Sequence, residues 1–396
     1  MSSRLLLILV AVSGVLGNGF FAAVGLGMRW RATDRRWVNP GPWRRLRRGP
    51  RALVLRYLMW WLSWPHLVAK LLRGGDPPLF ATPSTLVWRR GRTTLSRLGN
   101  RPGPVGGDAV LFVHSVVTRP WILDLLPERS VMGAVVEAGH EVFLLDWGDP
   151  GFQHAGQGIT EHTRLLAEAV GAVAQQSATG RVHVVGYCMG ATLALAAVGA
   201  WGPGPIASLV LVAPPYDTEV PGGTAAALRL PALMPVLALD GDGCVPGAYI
   251  REAFHVMRRD ELKAAWTRLR RRRDKAFQRV ASVMTRWAWE QRAIPGMLWF
   301  DLVDLFRGNT MLHGTLRIGD DDVRLDRVTV PTLIVVTDRD HIVPIASSLA
   351  LTRVIPHAEV VRSPAGHVSM LMGHESRAVT VPALLRWLRT GTAEPR

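Results

Sequence analysis

The sequence predicts an α/β fold with a mostly parallel central sheet. Three observations predict it. Short apolar runs alternate with amphipathic stretches from Ala109 onward, the apolar runs carry no polar alternation, and the alternation resumes near Pro331 after a long interruption. Strands that are apolar on both faces belong in a sheet covered by helices on both sides.

Taken in order, STLVWRRGRTTLSRL reads as two short strands around Arg90 and Gly91, a hairpin opening the domain. VLFVH is a buried strand, SVMGAVVEAGH a helix, EVFLLDW a strand and ITEHTRLLAEAVGAVAQQS a helix. RVHVVGY, ATLALAAVGAW, SLVLVAP, PTLIVVTD and the short AEVVRS continue the series. Between Tyr216 and about Asn309 the text is helical and charge-rich, includes RLRRRRDK, and has no strong strand signal. An insertion of that length between two sheet strands reads as a helical cap. The expected organisation is therefore an N-terminal segment over 1–75, a catalytic core over 76–215 and 310–396, and a cap over 216–309.

At 396 residues and 48% hydrophobic, the chain has enough apolar text for a sizeable core, which excludes wholesale disorder. The formal net charge is +16, and nine arginines against one aspartate between Arg29 and Arg51 supply half of it. Such a field favours an anionic surface or substrate. Nucleic acid is not expected, because the arginines abut an apolar run and no nucleic-acid motif accompanies them. The run from Leu5 to Met28 has no charged residue, and as a helix it would span roughly 36 Å. A membrane helix is the first reading and a secretory signal the rival. The arginines that follow would keep the catalytic domain in the cytoplasm. Trp60, Trp61 and Trp64 lie among Arg56, His66 and Lys70, which suits an interfacial helix or, equally, one packed on the domain. Only two cysteines occur, Cys188 and Cys244, so neither a disulfide framework nor a zinc site is expected.

The chemistry centres on Gly186-Tyr187-Cys188-Met189-Gly190, which follows the strand VHVV and precedes the helix ATLALAAV. Strand, G-x-nucleophile-x-G, helix is the nucleophile elbow of α/β-hydrolases. The glycines are required where a side chain would strike neighbouring backbone, and the helix N-terminus favours a thiolate. The Met189 N–H is one expected oxyanion donor, and Val116, in the loop Ser115 to Val117, the other. The fold orders its triad nucleophile, acid, base. Asp340 in DRDHIVP is the expected acid and His367 in SPAGHVS the base. Asp338 competes with Asp340 within the same loop, and His341 reads as structural.

Several longer stretches carry a resemblance. SVVTRPWILDLLPERSVMGAVVEAGHEVFLLDWGDPG, GYCMG, GCVPGAYIREAF, LFRGNTMLHGTLRIGDDDVRLDRVTVP, DRDHIVPIASSLAL and PAGHVSM are similar, in that order, to the polyhydroxyalkanoate synthases. The shorter class III catalytic subunits are the nearest type. The resemblance runs from about Val110 to Leu388. It implies a Cys188, Asp340 and His367 triad on an α/β-hydrolase fold with a cap over 217–309. The implied reaction is polymerisation of 3-hydroxyacyl-coenzyme A, with coenzyme A released and a thioester on the cysteine. It further implies no cofactor beyond the coenzyme A thioester substrate, a growing polyester as product and a homodimer or partner subunit, while the N-terminal segment itself points to a membrane or granule surface as neighbour and no metal is expected. The apolar, arginine-rich N-terminus and the basic cap depart from the family pattern. A cysteine-dependent thioesterase or dienelactone-hydrolase-like enzyme is the alternative; an inactive anchored binding protein is a third reading.

Overall fold

A computed structural model describes residues 80–100, 106–223, 239, 240, 242–251, 267, 270, 271 and 273–393. The chain divides into two units, and apart from residues 239 and 240 everything described belongs to the one formed by Pro77–Arg229 and Asp242–Arg396. The apolar run over 5–28 and the tryptophans at 60–64 lie outside the described residues.

The chain opens on β1 (Ser84–Arg90) and β2 (Thr93–Leu98), an antiparallel hairpin turning at Gly91, whose φ is +56°. Next come β3 (Ala109–Val113), α1 (Val131–Glu137), β4 (Val142–Asp146), α2 (Ile159–Gln176), β5 (Val182–Tyr187), α3 (Met189–Trp201) and β6 (Ile206–Val212). These strands join one eight-stranded sheet, completed by β11 (Thr332–Thr337) and β12 (Glu359–Ser363), in the order β1-β2-β4-β3-β5-β6-β11-β12. Pairing is antiparallel from β1 through β2 to β4 and parallel everywhere else.

The reason lies in the residues. AVLFV of β3, IASLVLV of β6 and TLIVVT of β11 are buried along their whole length, as strands covered on both faces must be. At the edge, β1 keeps Leu86 half-exposed and ends on Arg89 and Arg90. The α2 helix starts at Gly158, whose N–H donates to Glu161 Oε2 at 2.7 Å, and buries Ile159, Leu166, Val170 and Val173 along one stripe. In contrast α3 is buried all round up to Ala200, so its sequence has no polar face.

Between β6 and β11 the described residues form β7 (Cys244–Val245), α4 (Lys275–Trp289), β8 (Ile294–Pro295), α5 (Gly296–Gly308), β9 (Arg317–Ile318) and β10 (Asp321–Asp322). Two-residue strands are too short to show a period in sequence, so the antiparallel pairing of β7 with β8 was not legible there. Asp274 caps α4 by accepting from Phe277 N–H at 2.9 Å. Asn309 ends α5 in the left-handed region (φ +45°). From there its amide Nδ2 donates to Asp217 Oδ1 at 3.0 Å, and its Oδ1 accepts from Thr218 N–H at 3.1 Å. The two ends of this long segment are thus fastened to each other. Asp301 of α5 also accepts from Ile159 N–H at 2.7 Å, at the start of α2.

After β11 come α6 (Ile345–Leu349), β12, α7 (Ser369–Met372) and α8 (Val381–Thr390). Among the described residues no helix is long and apolar enough to cross a membrane.

Candidate active site

The β5–α3 junction is a strained turn. Cys188 has φ +52° and ψ −120°, a conformation in which a non-glycine residue costs about 1–3 kcal/mol. Its backbone is held from both sides: Cys188 N–H donates to Val212 O at 2.8 Å, and Cys188 O accepts from Ala191 N–H at 2.9 Å. A Cβ at Gly186 would lie 2.6 Å from Ala191 Cα, and one at Gly190 would lie 2.2 Å from Val113 O. Both positions are therefore closed to any side chain. Gly190 also approaches His114 O, so the first turn of α3 rests against the carbonyl end of β3, where the Ser115–Val117 loop begins. Among the described residues the N–H groups of Met189 and Val116 are engaged in no hydrogen bond.

Asp340 and His367 arrive from the ends of β11 and β12. Asp340 Oδ2 accepts from His367 Nδ1 at 2.6 Å, while Oδ1 accepts from the N–H groups of Ile342 and Val343, each at 2.8 Å. Both side chains are almost wholly buried. Thr337 Oγ1 donates to Ala365 O, tying the two loops together. Burial alone would push the His367 imidazolium down. The Asp340 charge and hydrogen bond, with the Cys188 side chain on the other side of the ring, outweigh it and raise His367 to about 10. With Nδ1 committed to Asp340, Nε2 is the nitrogen left for Cys188. Cys188, Asp340 and His367, 179 residues apart at the extremes, thus converge. Asp338 does not join them; it points into solvent near Arg362. His341 is exposed. Cys244 is buried in β7 away from the elbow, with Sγ 3.8 Å from Gly151 O and Asp242 O. Among the described residues no group of three His, Cys, Asp or Glu is placed to hold a metal ion.

Three features beside the site were not read from the sequence. Tyr187, inside the elbow, sets its ring 5.2 Å from the His367 ring and donates its hydroxyl to His367 O at 3.4 Å. His114, at the end of β3, is fully buried and has Leu145 O at 3.2 Å from Nδ1 and Thr118 O at 3.1 Å from Nε2. Burial and Arg292 push it down to about 3, so the ring is neutral and donates to one carbonyl at a time. Arg292, 2% exposed, pairs with Asp146 at 2.7 Å at the end of β4. A buried arginine among charge-rich text has no sequence signature; an elbow position next to the nucleophile does.

The family follows from this architecture and from one comparison. The family model described as alpha/beta hydrolase fold matches residues 108–373. The chain belongs to the α/β-hydrolase fold family. Within it, the chain is similar to the poly(3-hydroxyalkanoate) polymerase subunit PhaC of Haloferax mediterranei, at 26% identity over 79% of this chain and 66% of that protein. It is similar also to the subunit of that name from Synechocystis, at 27% identity over 78% of this chain and 84% of that one. The chain spans just under two thirds of the Haloferax protein's length. A solved hydrolase from Pseudomonas aeruginosa overlays with a TM-score of 0.47 at 16% identity, covering 76% of this chain and 97% of that one.

Proposed function

We propose that this chain is a polyhydroxyalkanoate synthase, polymerising 3-hydroxyacyl-coenzyme A thioesters through an acyl thioester on Cys188. The observation that carries this reading is the buried Asp340–His367 pair beside a cysteine on a nucleophile elbow, in a chain similar to polymerase subunits over most of its length.

His367 Nε2 holds the proton given up by the Cys188 thiol, and the thiolate attacks the thioester carbonyl of the substrate. The N–H groups of Met189 and Val116 receive the developing oxyanion. Coenzyme A leaves as its thiol with the proton from His367, and the acyl group stays on sulfur. The hydroxyl of a second 3-hydroxyacyl unit then gives its proton to His367 and attacks, forming an ester and freeing Cys188. Asp340 holds the ring in the required tautomer and stabilises the imidazolium. Exchange of one thioester for another keeps the acyl group activated, which suits cysteine better than serine for this transfer.

The apolar run over 5–28 and the arginines at 29–51 support anchoring to the inner membrane or a granule surface, with the catalytic unit facing the cytoplasm. Incubation of the full chain with 3-hydroxybutyryl-coenzyme A tests the reaction. Insoluble polyester with released coenzyme A is expected. Free 3-hydroxybutyrate without polymer would make the enzyme a thioesterase, and no coenzyme A release at all would overturn the enzymatic reading.

A further inference from the structure

A cavity of about 300 Å³ opens at the end of the sheet opposite Cys188. It lies where β3, β5 and β6 begin, beside α8. The lining residue Arg181 and Cys188 flank the two ends of one strand, on the order of 20 Å apart. The cavity therefore takes no part in the chemistry proposed above.

Its lining is cationic. Arg181 and Arg389 face it with His140, His183, Asp108 and Ser208. Neither arginine has a carboxylate partner among the described residues; Arg181 reaches only Ala207 O, at 3.5 Å. The single acid, Asp108, is already engaged: it accepts from Thr179 Oγ1 at 2.6 Å and lies 3.6 Å from His183 Nε2.

A buried relay sets the orientation of His183. Trp387 Nε1 donates to Ser208 Oγ at 3.0 Å, and Ser208 Oγ lies 2.8 Å from His183 Nδ1. An indole N–H only donates, so the serine oxygen accepts there, and its remaining capacity meets the imidazole Nδ1. Trp387 and Ser208 are 2% and 3% exposed, so this arrangement is part of the core and not a surface accident.

We propose that this cavity binds a phosphate-bearing small molecule, with Arg181 and Arg389 on its phosphoryl oxygens and His140 and His183 as further donors. Guanidinium groups without carboxylates match the geometry of phosphoryl oxygens. The volume, about ten waters' worth, leaves room for an organic group beyond the phosphate. The electrostatics agree. Burial first, then His140 and Arg181, hold His183 down at about 4 against the opposing pull of Asp108, and burial with Arg389 lowers His140. An anion placed here would meet the Arg181 and Arg389 charges and raise both histidines.

Calorimetric titration of the full chain at pH 7 with inorganic phosphate and with adenosine monophosphate tests the inference. Saturable binding is expected, with the His140 and His183 ring resonances shifting in parallel. Tighter binding of the nucleotide would identify a phosphate ester as the ligand class, and equal binding would identify the phosphoryl group alone. Replacing either Arg181 or Arg389 by alanine is expected to weaken binding by about tenfold or more. Coenzyme A release should be unchanged in both variants, so failure here is distinguishable from failure of the synthase reading. No binding of either anion at millimolar concentration would overturn the proposal, as would undiminished binding in the Arg181→Ala/Arg389→Ala double variant.

Discussion

Asp340 gives one carboxylate oxygen to His367 Nδ1 at 2.6 Å and the other to two backbone N–H groups of its own loop. The carboxylate is therefore oriented before it orients the histidine. Asp340→Asn would place an amide where an acceptor is needed and favour the wrong tautomer. A fall in kcat/KM of about 10³–10⁴-fold is expected. Asp338→Asn, in solvent near Arg362, should change the rate by less than about twofold. Rate measurements on the two variants side by side check the assignment, and equal losses would contradict it.

Cys188→Ala is expected to abolish coenzyme A release while leaving the fold intact, and Cys188→Ser to retain a weak activity at most. A second effect comes from the backbone. Since φ at 188 is +52°, Cys188→Gly should be more stable than Cys188→Ala by about 1 kcal/mol, the reverse of the usual order of these residues. Urea unfolding midpoints of the two inactive variants measure this directly.

Gly190→Ala would set a methyl group 2.2 Å from Val113 O. Backbone cannot yield there without moving β3 or α3. A loss of about 3 kcal/mol or more is expected, seen as insoluble protein or a sharply lowered unfolding midpoint.

Cys244→Ala should keep near-wild-type activity. The side chain is buried and packs in β7, so removing its sulfur is expected to cost about 1 kcal/mol of stability and no chemistry. A folded variant with less than about a tenth of the wild-type rate would overturn the separation of roles between the two cysteines.

The pH dependence of stability has a definite sign. His367 is raised from an ordinary 6.5 to about 10 in the folded chain. Its pairing with Asp340 therefore contributes stability that is fully present below about pH 6.5 and is lost as pH rises through about 10. The difference in unfolding midpoint between wild type and His367→Gln should shrink steadily between pH 6.5 and 10. A difference that is constant over this range would remove the ion pair as its cause.

What the sequence determined by itself was local. Apolar runs such as AVLFV and TLIVVT announced buried parallel strands because their period and composition are set by neighbours two residues away. The elbow was legible for the same reason: its glycines, its cysteine and its flanking strand and helix lie within some twenty residues. Tertiary structure decided everything that depends on residues far apart in the chain. Asp338 and Asp340 sit in one polar loop with no periodicity, and the fold of that loop, closed by Ile342 and Val343, selects which carboxylate reaches His367. The Tyr187–His367 contact, the Asp217–Asn309 fastening and the Arg292–Asp146 pair each join segments 92 to 180 residues apart. The same holds for the cationic cavity, whose arginines and histidines come from three separate places in the sequence. Such pairings arise from the packing of the whole sheet and its helices, and no short window of residues encodes them.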